Sequence, residues 1–190
     1  MRSRAGAALV ALGLLFCSIA CSSGSSPAAA PGSTASDGFV TTTAVTTPAP
    51  AGFHAVTVTV RAADGTVSQR CLLVADTEPL REQGLMAVTD AALGGFDGMI
   101  FVFDQDTTGA FWMKDTLIPL SIAFADGGGS VVTTADMVPC PAGTSKCPLT
   151  KASSPYRYAV EVGTGRLPAL GLTDGSSLDP SFGPACQRPA

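Results

Sequence analysis

From residue 53 onward the apolar side chains come in short runs bounded by Gly, Pro and Asp, and this segmentation restricts the chain to a fold built from brief strands. Val56, Val58 and Val60 alternate with Thr57 and Thr59, the period of a half-buried strand. Asp64-Gly65 marks a turn, and residues 67–74 return as the second arm of a hairpin. Residues 99–103 are continuously apolar, which reads as a central strand covered on both faces. Residues 109–113 and 120–125 are two further strands, separated at Pro119, which has no N–H to give a ladder. Gly127, Gly128 and Gly129 form a loose hairpin into residues 131–136, residues 157–162 alternate as another strand, and a last short strand ends near Leu178.

Helical signals are few. Asp76 or Thr77 caps a short helix with Glu78 and Pro79 in its first turn, and Gly84 stands where a left-handed C-terminal residue is wanted. Residues 91–95 read as a second short turn or helix, and residues 168–172 as one helical turn. Residues 104–108 and 139–155 read as loops, and the Pro- and Gly-bearing residues 179–190 as a loose tail. The expected fold is therefore mostly β with a minor α+β character: a compact antiparallel curled sheet or open barrel with one or two short helices.

The N-terminal third has a different composition. Arg2 and Arg4 precede an apolar run over residues 5–20 that is too short to span a bilayer and ends in small residues, the pattern of a signal peptide. Ser18-Ile19-Ala20-Cys21 resembles the lipobox of bacterial lipoproteins, with Ser18 where Leu, Val or Ile is usual, so Cys21 is the expected lipidated residue. Residues 22–52 are almost entirely Ser, Gly, Thr, Ala and Pro with Asp37 as the one charge, too poor in large apolar groups to order themselves. The division that follows is a signal peptide over 1–20, a lipid-anchored tether over 21–52, a globular domain over 53–178 and a tail over 179–190. Such a tether would hold the domain about 30 Å from the outer face of the cytoplasmic membrane.

Charge excludes one class of partner. The formal net charge is −4, and without Arg2 and Arg4 nine cations face fifteen acids, a net of −6. No block of Lys and Arg exists to neutralise phosphates, so nucleic acid is not an expected partner. The expected partners are the membrane, through the lipid, and a glycan or envelope-protein ligand, with the domain itself a monomer.

Outside the leader and Cys21, four cysteines remain, and an even count in an exported chain implies disulfides with three possible connectivities. Cys140 and Cys147 share one loop and are the favoured pair, which leaves Cys71 for Cys186. Their spacing is neither that of a redox Cys-x-x-Cys nor of a zinc pair, so a structural role is expected and no metal or cofactor is assigned.

The densest chemistry lies at Phe111-Trp112-Met113-Lys114-Asp115, which holds the only Trp. A Ser-His-Asp mechanism needs a base, and the one histidine, His54, stands at a strand start beside the tether. Met86, Met99, Met113 and Met137 are scattered over different apolar segments, which suits core filling better than a soft-metal site. A carboxylate pair, Asp115 with Glu161, is the enzyme reading, a hydrolase acting on an envelope glycan. Against it stands an ion pair of Lys114 with Glu161 or with Asp115 that only fixes a turn. An exposed Trp112 with Lys114, Asp115 and Glu161 could bind a sugar ring or partner loop, while the ordinary burial of Trp argues for a core anchor instead. The balance favours a ligand- or partner-binding domain without catalysis, in which Trp112, Lys114, Asp115 and Glu161 are the candidate contacts.

Read together and in order, Gly84-Leu85-Met86, Gly98-Met99-Ile100-Phe101-Val102-Phe103, Phe111-Trp112-Met113-Lys114, Thr116-Leu117-Ile118-Pro119-Leu120, Ile122-Ala123-Phe124 and Ala159-Val160-Glu161-Val162 with Gly165 resemble the uncharacterised ACR family, domain of unknown function 192. The resemblance implies a compact β-rich domain, often exported or lipid-anchored, and brings no settled activity. This chain departs from the family pattern at Asp115, where Asn is usual, at Ser121, where Asp is common, and at Ala87 and Val88, where aromatic or basic residues are usual.

Overall fold

The computed structural model describes residues 50, 52–141, 143–144 and 146–187. The segment expected as a signal peptide, Cys21 and most of the expected tether lie outside the described residues. Nine strands are described: β1 (His54–Arg61), β2 (Val67–Ala75), β3 (Gly98–Thr107), β4 (Ala110–Trp112), β5 (Leu120–Ala125), β6 (Val131–Met137), β7 (Leu149–Lys151), β8 (Tyr156–Gly163) and β9 (Ser177–Leu178). Two short helices accompany them, α1 (Glu78–Gln83) and α2 (Leu167–Leu170), with a 3-10 turn at Leu93–Gly95. The fold is mostly β, as expected. Seven strands form one curled sheet in the order β6-β5-β8-β3-β2-β1-β9, and β4 pairs with β7 in a separate ribbon.

The apolar run of β3 takes the middle place of the sheet, as its two-faced hydrophobicity demands. One of its pairings differs from the antiparallel expectation: β2 and β3 run parallel, Leu72 opposite Gly98 and Ala75 opposite Phe101. Parallel neighbours need a crossover, and here α1 and the 3-10 turn supply it. The two edges of the curled sheet meet at one end, where Ser130 bridges Ser177 and the Leu178 N–H donates to the Gly129 carbonyl at 2.9 Å.

The sheet is apolar on both sides. Val58, Leu72, Ile100, Val160 and Leu178 pack on one face beneath Leu167 and Leu170 of α2. Leu73, Met99, Phe101, Ile122 and Phe124 pack on the other, covered by Leu85, Met113, Ile118 and the β4–β7 ribbon. Each large aliphatic or aromatic side chain removed from water in this way contributes roughly 1.5–3 kcal/mol before entropy is charged against it. Met99, Met113 and Met137 are buried in the second core, in keeping with a filling role.

Three regions depart from the expected loops, the first being residues 104–107, which continue β3 instead of leaving the sheet. Residues 139–155 contain β7, and the tail is docked rather than loose through residue 186. Gly183 N–H donates to the Thr57 carbonyl, Thr57 N–H to that of Pro184, and Cys186 N–H to that of Ala55, so the tail runs along β1. Cys71 and Cys186 are joined by a disulfide that holds it there, and Cys140 and Cys147 form the second bridge. Two such bridges in a domain of this size belong to a non-cytoplasmic, oxidising setting. Among the described residues no helix is long and apolar enough to cross a membrane.

Candidate functional site

On the face of the sheet covered by the ribbon, a groove opens between α1 and β4. Thr77 enters α1 in an extended conformation and Pro79 sits in its first turn, while Gly84 ends it at φ 46°, its N–H bonded to the Leu80 carbonyl at 2.9 Å. A side chain at Gly84 would meet the Phe101 ring at 3.2 Å, so glycine lets the helix end close on the sheet. Arg81 fixes the helix to β3. Its Nη1 donates to the carbonyls of Asp76 at 2.7 Å and Val102 at 2.9 Å, and its guanidinium lies 5.0 Å from the Phe103 ring centroid.

Across the groove, β4 divides its side chains between core and solvent. Phe111 turns inward, edge-on to Phe101 at 4.9 Å and to Phe124 at 5.5 Å. Trp112 turns outward and is 51% exposed, opposite Leu149 of β7, itself 60% exposed. The expectation that Trp112 anchors the core is thereby corrected: a two-stranded ribbon with no layer outside it leaves the even-numbered positions of β4 uncovered. Tyr156 lines the same groove, with its hydroxyl donating to the Gly109 carbonyl at 3.0 Å and burial pushing its pKa up to about 12.

The groove has two parts. The outer, about 370 Å3, lies among Glu78, Arg81, Phe103, Ala110, Trp112 and Tyr156. The inner, about 40 Å3, runs beneath Gly84, Leu85 and Met86 to Thr116 and Glu161. Arg81, Glu82, Phe101, Phe111 and Trp112 border both.

Glu161 stands between Met99 of β3 and Ile122 of β5, and is 4% exposed. Among the described residues no hydrogen bond or ion pair reaches its carboxyl, and burial in these apolar surroundings raises its pKa from about 4.5 to about 8. The side chain is therefore a neutral acid at pH 7.

The other candidates fare differently. Lys114 Nζ lies 5.6 Å from the Trp112 ring centroid. It pairs with neither Glu161 nor Asp115; among the described residues the ion pair formed is Arg157 with Asp106 at 2.9 Å. The turn is instead set by the backbone, because Asp115 adopts φ 54°, a conformation that Asp and Asn tolerate better than most residues. Asp115 is exposed and borders neither part of the groove. The structure thus brings Trp112 and Glu161 together, keeps Lys114 against Trp112, and leaves Asp115 outside. His54 is exposed at the start of β1.

The residues missed from the sequence are Glu78, Arg81 and Glu82, whose i, i+3, i+4 spacing places them on one side of α1 and could have flagged them. A larger cavity of about 570 Å3 lies on the opposite face, beside Ser121, Asp136 and Gly165. Three of its polar groups engage one another: Ser121 Oγ donates to Asp136 and accepts the Gly165 N–H at 2.8 Å. Asp136 on β6 thus places a carboxylate beside Ser121, and Asp174 borders the same cavity. Among the described residues no group of three or more His, Cys, Asp or Glu converges as a metal site would require.

The model of the uncharacterised ACR family, domain of unknown function 192, matches residues 59–180. Among solved structures, the chain is similar to a proposed transcription regulator from Sinorhizobium meliloti 1021, with 26% identity and a TM-score of 0.58 over 67% of this chain and 94% of that one. It is also similar to a protein of unknown function from Novosphingobium aromaticivorans DSM 12444, with 28% identity and a TM-score of 0.57 over 68% of this chain and 88% of that one. No curated protein matches the chain.

Proposed function

The chain belongs to the uncharacterised ACR family, and on that premise we propose that it is an exported envelope protein, lipid-anchored at Cys21, whose domain binds a small envelope ligand in the groove between α1 and β4 without transforming it. One observation carries the reading: an exposed aromatic ring, Trp112, and an unpartnered buried carboxyl, Glu161, border one continuous groove. Apolar walls with a few convergent polar groups are the usual make-up of a ligand site. A glycan or a segment of an envelope protein could lay a ring or an apolar side chain on Trp112 while a polar end turns toward Glu161.

The hydrolase reading draws no support from this arrangement, since Asp115 borders neither part of the groove. The regulator description carried by the S. meliloti protein finds no support in charge either, because Glu78 and Glu82 line the groove mouth and the net charge is −4. As the sole Trp, Trp112 reports the groove directly. Titration of the mature protein with a glycan panel and envelope fractions should shift its emission saturably, and Ala110→Leu, which fills the outer groove, should abolish the shift. An emission unchanged across the panel and fractions would refute the reading.

A further inference from the structure

Resting on the groove reading, we propose that the group received by the inner chamber is a primary ammonium at the end of a slender alkyl chain, paired there with Glu161. Four features of the chamber select it. The first is size: about 40 Å3 admits one small group and excludes a ring, so the polar end must sit on a thin stem. The second is sign, because an anionic end would meet Glu82 at this chamber, and the cation bordering it, Arg81, is committed to the Asp76 and Val102 carbonyls. The third is the walls. Phe101, Phe111 and Trp112 border the chamber with aromatic rings, a lining that suits a cation, and Trp112 already holds Lys114 Nζ at 5.6 Å from its ring centroid. The fourth is Glu161 itself, a buried carboxyl with no partner among the described residues, for which an ion pair is the strongest compensation on offer.

The charged groups facing Glu161 are few. From α1 come Glu82 and Arg81, the latter already committed to the Asp76 and Val102 carbonyls. From β3, β4 and β5 come Met99, Trp112 and Ile122, and from the turn after β4 comes Thr116, none of them charged. Binding is then a proton exchange. The Glu161 carboxyl releases its proton to solvent, the carboxylate so formed accepts from the incoming ammonium, and the alkyl stem lies along the aromatic rings of the outer groove. Because only the ionised carboxylate pairs, affinity tracks its ionised fraction.

The test uses pentylamine and pentan-1-ol as probes of the full domain, followed by Trp112 emission and by calorimetry between pH 6 and 9, in the native protein and in Glu161→Gln. Pentylamine affinity should rise about tenfold per pH unit at the acid end and level off above about pH 8.5, with one proton released per amine near pH 7. Pentan-1-ol should bind at least tenfold more weakly at pH 8.5 and gain nothing with pH, and Glu161→Gln should lose both the rise and the preference. Pentylamine binding that ignores pH, survives unchanged in Glu161→Gln, or is matched by pentan-1-ol overturns the inference while leaving the groove reading intact. Binding by neither probe also overturns it, and the titration with envelope fractions then decides the groove reading separately.

Discussion

The backbone N–H of Ala87 donates to the carbonyl of Asp115 at 2.9 Å, and both residues lie at left-handed φ, 59° and 54°. This bond ties the segment after α1, which carries Leu85 into the core and Met86 over the inner chamber, to the turn between β4 and β5. Asp115 therefore serves the site through its backbone. Asp115→Asn should be nearly neutral in urea unfolding, whereas Asp115→Val should cost about 1–2 kcal/mol, because a β-branched residue resists this φ. Equal midpoints for the two variants would remove the conformational explanation.

Glu161 should make the domain less stable as pH rises. Its folded pKa of about 8 lies above the ordinary 4.5, so between those values the unfolded chain has lost a proton that the native protein retains. Stability from this group is fully present below about pH 4.5, falls through neutrality and is flat above about pH 8. At roughly 1.4 kcal/mol per pH unit the loss at pH 7 is on the order of 3 kcal/mol. Urea midpoints at pH 5, 7 and 9 should show this slope in the native protein and its absence in Glu161→Gln, which should be the more stable of the two at pH 9. Parallel profiles would mean that Glu161 titrates normally.

The Cys71–Cys186 bridge closes a separation of 115 residues and holds the docked tail, while Cys140–Cys147 spans a separation of 7. Chain entropy gives about 5 kcal/mol for the long loop and about 2.5 for the short one. Replacing Cys71 and Cys186 by Ser should lower the thermal midpoint more than replacing Cys140 and Cys147, and should speed amide exchange at Thr57 and Gly183. Tail amides that stay protected without the long bridge would show that the β1 hydrogen bonds hold the tail unaided.

The proposed lipidation at Cys21 has its own readout. Intact mass of the mature protein should show a diacyl-modified N-terminus at Cys21 that disappears in Cys21→Ala. A free N-terminus at another residue would contradict the anchor.

Much of the sheet was legible because period and punctuation act locally. Residues 120–125 form β5 as read, with Pro119 at its entry, and the continuous apolar run of β3 announced its central place. The parallel pairing of β2 with β3 was not legible, because partner choice depends on the crossover and not on either strand. β7 was missed since Leu149–Lys151 is too short to show alternation, and the tail because its ordering comes from a disulfide and from β1. At the site, Glu161 and Trp112 stood out by residue type. Their environments did not: the exposure of Trp112 follows from the missing outer layer over β4, and the isolation of Glu161 from Lys114 turning onto Trp112 instead.

The claim that the groove between α1 and β4 is the ligand site is tested most directly by NMR titration with envelope fractions, because the single Trp yields a single indole N–H resonance. The account predicts that this resonance shifts together with the amides of Glu82, Gly84, Met86 and Gly109, while those of Ser121, Gly165 and Asp174 on the opposite face stay in place. Shifts confined to Ser121, Gly165 and Asp174, with the Trp112 indole unmoved, would contradict it.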